Sequence, residues 1–238
     1  MESRWSGRAF LADETASAGP RIMLALLGLV LAAQAIWILL SEHQGPQHLL
    51  AVEKAGAEAV LEQARDARRA AKLAVVRGDL WASSAAAHFN MLSTPQAPAP
   101  NSSSPTVDEA RADLERAVRY SPLRGDAWLL LATMADRYGG QGHEPAALLK
   151  MSYYTAPSDQ ALFLLRIQVA LRIAGLEDVE LADMVRRDIR LLVTKTPALR
   201  PALLGVYKGA SSPGRRFVEH VVAEVDPTYL AVLRREPQ

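Results

Sequence analysis

The pentapeptide Arg77-Gly78-Asp79-Leu80-Trp81 is answered 47 positions later by Arg124-Gly125-Asp126-Ala127-Trp128, and this repetition constrains the fold more than any other feature of the 238-residue chain. Between the copies runs Ser93 to Pro105, STPQAPAPNSSSP, 13 residues with no helical potential. Removing those 13 from 47 leaves a unit of 34 residues. The stretch Glu109 to Ala132 that holds the second copy sets Ala110, Leu114 and Ala117 at helical steps of 4 and 3. Small alanines let a second helix come close, Leu114 fills the contact, and Pro122 ends the helix because it has no amide donor. Within each pentapeptide the glycine is expected to permit the turn, the aspartate to cap the following helix, and the tryptophan to anchor it. That account explains more of the pattern than an adhesion role for the Arg-Gly-Asp triplets.

Trp128, Leu131 and Ala132 occupy large, large and small positions, with Ala110, Leu114, Ala117 and Pro122 before them. This order resembles the second helix of one tetratricopeptide (TPR) repeat followed by the first helix of the next, and 34 residues is the period of such arrays. The resemblance covers about residues 60 to 194. It departs from the consensus where Ala135 replaces a larger residue, where Gly139-Gly140 through Glu144 makes a loose turn, and where Pro157 closes the next helix early. It implies an all-α fold in which stacked helical hairpins form a right-handed array, the first helix of each pair lining a concave groove. The residues that it assigns to the groove are Asp79, Phe89 and Asn90 from one repeat and Asp126, Leu129, Thr133, Asp136 and Arg137 from the next. Partner proteins or peptides are the ligands that it implies.

Apolar spacing extends the helical reading in both directions. A helix over 47–77 carries Leu50, Ala57, Val60, Ala64, Ala67, Ala71 and Val75 at threes, fours and sevens. Alanine buries too little area to hold two chains, so packing within the chain is the expected use. A third pair is expected over 159–174 and 177–194, with Ala182, Val185, Ile189 and Leu192 inward and Asp183, Arg186, Arg187 and Arg190 outward. The repeat domain therefore spans 47–194, with 93–105 as a flexible linker inside it. Pro197, Pro201, Pro213 and Pro227 cut residues 195–238 into short helices, roughly 198–208, 214–224 and 227–234, that cap the array through Leu203, Leu204, Phe217, Val221, Tyr229 and Leu233.

Ahead of the repeats, Ile22 to Leu40 carries no charge and Gln34 as its one strongly polar residue. Nineteen residues of helix reach roughly 28 Å, near the hydrocarbon thickness of a bilayer. A single transmembrane helix over 21–41 follows, preceded by a polar, disordered tail over 1–20. Ala33-Gln34-Ala35 fits a processing site, but cleavage would leave IWILL at the new terminus, so an uncleaved anchor is expected. Arg4, Arg8 and Arg21 precede the span and Lys54 alone follows closely, which puts the amino terminus in the cytoplasm and the rest in the periplasm of a bacterial inner membrane.

No reaction chemistry emerges from the remaining residues. The histidines His43, His48, His88, His143 and His220 have no zinc-binding spacing, the chain has no cysteine, and Gly209 to Gly214 lacks the lysine of a phosphate loop. Asp79, Asp126 and Asp159 fall at expected helix starts, and Asn101-Ser102-Ser103 reads as a chance acceptor match in the linker. A net charge of +1 gives no attraction to nucleic acid. The expectation is a non-enzymatic, single-pass envelope scaffold or assembly factor, without metal or cofactor, whose partner is another envelope protein in secretion, polysaccharide export or complex maturation. The alternative class is an envelope enzyme or sugar-binding accessory with a site between the repeats and the carboxy-terminal helices.

Overall fold

The computed structural model describes residues 22–33, 36, 57–92, 104–140 and 142–235, and among them every regular element is a helix. Residues 22–33 form α1, whose large apolar side chains are exposed. Among the described residues no helix is long and apolar enough to cross a membrane. Residues 34, 35 and 37–40 of the expected span lie outside the described residues, as do the tail 1–20, most of the linker and the first ten residues of the helix expected from 47.

The remaining helices are α2 (Ala57–Leu73), α3 (Gly78–Met91), α4 (Pro105–Tyr120), α5 (Gly125–Tyr138), α6 (Pro145–Thr155), α7 (Gln160–Ala170), α8 (Val179–Lys195), α9 (Arg200–Gly209), α10 (Ser212–Val225) and α11 (Pro227–Leu233). Short 3₁₀ turns cover Ala174–Glu177 and Pro197–Leu199. Consecutive helices from α2 to α8 pack against one another, most closely α2 on α3, α3 on α4 and α5 on α6. In α3 and α4, Gly78 lies against Ser121 and Ser84 bonds to Asp113, which fixes the register directly. α6, α8 and α10 form a second, parallel row, with Lys150 reaching Asp178 at 2.7 Å and Arg190 reaching Glu224 at 2.5 Å. α6 and α8 begin at residues 145 and 179, 34 apart.

The two tryptophan turns are equivalent in structure. Trp81 donates its indole N–H to the Val75 carbonyl at 2.8 Å, and Trp128 donates to the Pro122 carbonyl at 2.7 Å, six residues back in each case. Arg77 clasps Asp79 and Arg124 clasps Asp126 in the same way. Two expectations are corrected here. Asp79 and Asp126 do not stand at the cap positions, which are Arg77 and Arg124; each aspartate is the second residue of its helix and holds that arginine, and Asp126 also accepts the Ala127 N–H at 2.9 Å. Nor do Gly78 and Gly125 supply a left-handed turn, since the glycines with positive φ are Gly139 and Gly142. A β-carbon at Gly78 would fall 2.6 Å from Ser121 Cβ, and one at Gly125 would fall 2.5 Å from Ala156 Cβ. Glycine is required for helix contact rather than for chain reversal.

Other corrections follow from capping and packing. Ser104 accepts from Val107 N–H at 3.3 Å and Pro105 opens α4, so the last two residues of the expected linker start a helix. Val75 lies in the turn after α2 and is exposed, whereas Ala64, Ala67 and Ala71 are buried as expected. Asp159 does cap α7, accepting from Ala161 N–H at 3.0 Å. The carboxy-terminal helices begin and end within about two residues of the proline-based reading, because proline is tolerated in a first helical turn. They do more than close the array: α9 packs on α7 and α10 on α8, continuing the alternation, and α11 alone covers the end of α10. Tyr229 of α11 donates its hydroxyl to the Arg200 carbonyl at 2.7 Å.

The core is a single large cluster from Ala85 to Leu233, flanked by alanine-rich contacts between α2 and α3. Every residue of α3 from Leu80 to His88 is buried. Its run Ala82-Ser83-Ser84-Ala85-Ala86-Ala87 is small enough to accept α2 and α4 closely on opposite sides.

Candidate interaction surface

The eight residues expected to line one groove separate into three groups. Asp79 and Asp126 stand at the start of α3 and α5, each committed to its own arginine. Phe89, Asn90, Asp136 and Arg137 stand at the other end of the same helices and are half-buried. Leu129 and Thr133, halfway along α5, are buried within the chain, and Thr133 donates its hydroxyl to the Leu129 carbonyl at 2.8 Å. Those two are core residues. The spacing that put them on a groove took the face of α5 toward α3 and α7 as open, whereas the core closes over it.

An open concavity lies further along the chain. A hollow of about 430 Å³ sits between α7 and α9, lined by Gln168 and Arg172 on one side and by Ala202, Gly205, Val206, Gly209 and Ala210 on the other. Glycine at 205 and 209 makes the room, since a β-carbon at either would meet no atom within 4 Å. Arg172 joins Asp136 of α5 at 3.0 Å, so one expected groove residue borders the hollow through an ion pair. Small residues at every third or fourth place on α9 carried this signal in the sequence. It was absorbed there as mere capping.

Two buried polar centres lie within the helix packing, and spacing alone reveals neither. In the first, α2, α3 and α4 meet at Asp113, which is fully buried. Ser84 Oγ donates to it at 2.7 Å and Arg116 Nη1 at 3.0 Å, with Arg68 Nε 3.7 Å away. Arg68 also pairs with Glu109, and the guanidinium of Arg116 lies 4.8 Å over the Trp81 ring. His88 Nδ1 faces the Ser84 carbonyl at 2.8 Å, and its Nε2 is 3.6 Å from Glu109. A serine, a histidine and an aspartate are thus gathered, but the serine hydroxyl donates to the aspartate and is buried. No base is placed to take its proton, so this grouping is a three-helix clamp rather than a nucleophile relay.

The second centre joins α6, α7 and α8. Arg166 is fully buried and donates to Ser152 Oγ at 3.0 Å, the Ser152 carbonyl at 2.6 Å and the Ala156 carbonyl at 3.0 Å. These carbonyls also accept the Ala156 and Asp159 amides, so the guanidinium adds a second donor to each at the end of α6. Ser152 in turn donates to the Gly125 carbonyl at 2.7 Å, tying α5 to the same point. The guanidinium stacks 4.6 Å from the Tyr153 ring. Asp188 of α8 is fully buried beside them, yet neither of its oxygens meets a well-formed donor, and the Tyr153 hydroxyl and Arg166 Nη1 are equally unmatched. Burial pushes the Asp188 carboxyl up to about 6, against partial support from Tyr153, Arg166 and Arg187. Burial, reinforced by Asp188, raises the Tyr153 phenol well above its usual range.

No group of three or more potential metal-ligating side chains is present among the described residues. No family model matches the chain, and neither a curated protein nor a solved structure is significantly similar to it.

Proposed function

We propose that this chain is a membrane-anchored, TPR-like scaffold or assembly factor that holds a right-handed array of helical hairpins in the periplasm and docks another envelope protein. The observation that carries the reading is the α7–α9 hollow, a concave site on consecutive first helices of the pairs, with an arginine and a carboxamide on one wall and backbone-close small residues on the other. A wall of Gly205, Gly209 and Ala210 admits an incoming side chain or peptide backbone, and Arg172 offers a charge at the rim. The matching indole hydrogen bonds of Trp81 and Trp128 and the 34-residue step between α6 and α8 support the repeat assignment. The uncharged run 22–40, helical where described, supports the anchor.

The position of the hollow, between the third pair and the carboxy-terminal helices, also favours a second reading as a sugar-binding accessory. Its lining tells against acid–base hydrolysis, since no carboxylate faces it and Asp136 at the edge is engaged by Arg172.

Affinity purification of the full chain from native membranes tests the first reading. A stoichiometric protein partner is expected, lost with Gly205→Leu and with Arg172→Glu while the thermal unfolding midpoint holds. A β-carbon at Gly205 meets no atom within 4 Å, so a leucine there projects from an open position, and loss of the partner with the unfolding midpoint held reports the site rather than the fold. Retention of the partner by both variants rules out the hollow, and tight binding of an acidic oligosaccharide in its place selects the second reading. An active cytoplasmic reporter fused at the carboxy terminus refutes the orientation.

A further inference from the structure

The turns that lead from α2 into α3 and from α4 into α5 push matching apolar side chains into solvent. Val76 and Leu123 are equivalent at 47 residues' separation, as are Val75 and Pro122. Val75 is 50%, Val76 66% and Leu123 79% exposed, and Tyr120 stands exposed beside them. The turns themselves do not demand this, because the indoles of Trp81 and Trp128 use only the carbonyls of Val75 and Pro122, which any residue supplies. The two turns adjoin, since Gly78 lies against Ser121. Their apolar tips therefore form one edge.

The charge around that edge is one-sided. α2 and α4 run parallel, with Arg68 reaching both Glu109 and Asp113, so their carboxy-terminal ends lie together. Lys72 and Arg119 stand in those last turns, exposed and with no ion pair among the described residues, and Arg77 and Arg124 neutralise Asp79 and Asp126 close by. The opposite ends are acidic: Asp108 lies in the first turn of α4, Glu144 precedes α6, and Asp178 and Glu180 open α8.

We propose that this edge, Val75, Val76, Tyr120 and Leu123 flanked by Lys72 and Arg119, beds into the headgroup region of an anionic bilayer and holds the array against the membrane. Protruding aliphatic and aromatic tips within a cationic frame match that boundary, where the tips leave water and the cations meet lipid phosphate. A second copy of the chain fits less well. Two turns bury far less than the roughly 1,200 Å² of a stable interface, and the same cations would face each other. The proposal rests on the anchored reading for the nearness of a bilayer.

The chain has no cysteine, so single cysteines carry spin labels cleanly. Val76→Cys, Leu123→Cys, Glu177→Cys and Leu27→Cys are introduced into the full chain in nanodiscs of mixed phosphatidylcholine and phosphatidylglycerol, and oxygen-over-nickel accessibility is read at each. Labels at 76 and 123 are expected to score several-fold above the label at 177, and to fall to its value in phosphatidylcholine alone or with Lys72→Glu and Arg119→Glu together. Equal scores at 76, 123 and 177 overturn the proposal, as does shielding that depends on the number of chains per disc and not on lipid charge. Leu27→Cys reports the anchor separately: a water-exposed label there sinks the anchored reading, and the edge is then judged by the 76 and 123 labels on vesicles of the same lipids.

Discussion

Asp113 on α4 and Asp188 on α8 are both fully buried carboxylates, and they are held in opposite ways. Asp113 receives a hydroxyl and a guanidinium at hydrogen-bonding distance, from two different helices. Asp188 has a guanidinium and a phenol for neighbours and a directed bond from neither. The difference lies in where the arginine spends its donors. Arg116 is half-exposed, one turn from Asp113, and turns a nitrogen to it. Arg166 is anchored on the carbonyls at the end of α6, so Asp188 feels its charge only at a distance. A buried charge is sheltered by donors aimed at it, not by the mere presence of an opposite charge.

The most severe way to break this comparison is to remove Arg166. Arg166→Leu takes the guanidinium donor from Ser152 Oγ and from the Ser152 and Ala156 carbonyls, which keep only their backbone amides, and leaves Asp188 without the larger of its two counter-charges. A loss of about 3–5 kcal/mol is expected in urea unfolding, the scale seen when one partner of a buried charge is deleted. Arg116→Leu, at a half-exposed site, should cost about 1 kcal/mol or a little more. Equal losses would mean that the second centre is no more critical than the first.

Exchanging each carboxylate for its amide sharpens the contrast. Asp113→Asn weakens two formed bonds and should destabilise the fold by about 2 kcal/mol at neutral pH. Asp188→Asn removes a charge that the fold holds at a penalty. Asp188 titrates near 6 in the folded chain, against about 3.9 when unfolded. Between those values the folded chain keeps a proton that the unfolded chain has released, so stability falls as pH rises from about 4 to 6 and stays lower above it. The shift corresponds to at most about 3 kcal/mol. The wild type should show this slope in unfolding free energy and Asp188→Asn should lack it. A slope that survives the substitution assigns the titration to another group.

Much of the scaffold could be read from residue spacing, because helices declare themselves through apolar period, proline and capping residues. The pairing of Trp81 with Trp128, the buried face of α8 through Ala182, Val185, Ile189 and Leu192, and the last three helices were all legible in this way. What stayed hidden depends on which face another helix covers. Leu129 and Thr133 look identical in sequence whether they line a groove or fill a core. Nothing in the spacing marks Asp188, which sits between the outward Arg187 and Arg190, or Arg166 as buried, and only the crossing of α6, α7 and α8 turns them inward. The small residues on α9 mark a place where space is available, but a glycine does not announce whether that space is filled by a neighbour or left as the hollow beside Gly205.

The repeated glycines allow the same comparison at smaller amplitude. Gly78→Ala and Gly125→Ala insert the same methyl group into equivalent helix contacts, 2.6 Å from Ser121 Cβ and 2.5 Å from Ala156 Cβ respectively. Both should lose about 1–2 kcal/mol as the helices part to relieve overpacking. Their surroundings then separate them. The new methyl at 125 also lies 3.0 Å from the Ser152 carbonyl and 3.3 Å from Arg166 Nη2, so relief must move the guanidinium that lies beside Asp188. At 78 the nearest atoms all belong to Ser121, with no titrating group among them. Gly125→Ala is therefore expected to change the slope of stability between pH 4 and 6 seen in the wild type, while Gly78→Ala lowers the whole curve and keeps its shape. Parallel curves for both variants would show that Arg166 and Asp188 are not coupled through the end of α6.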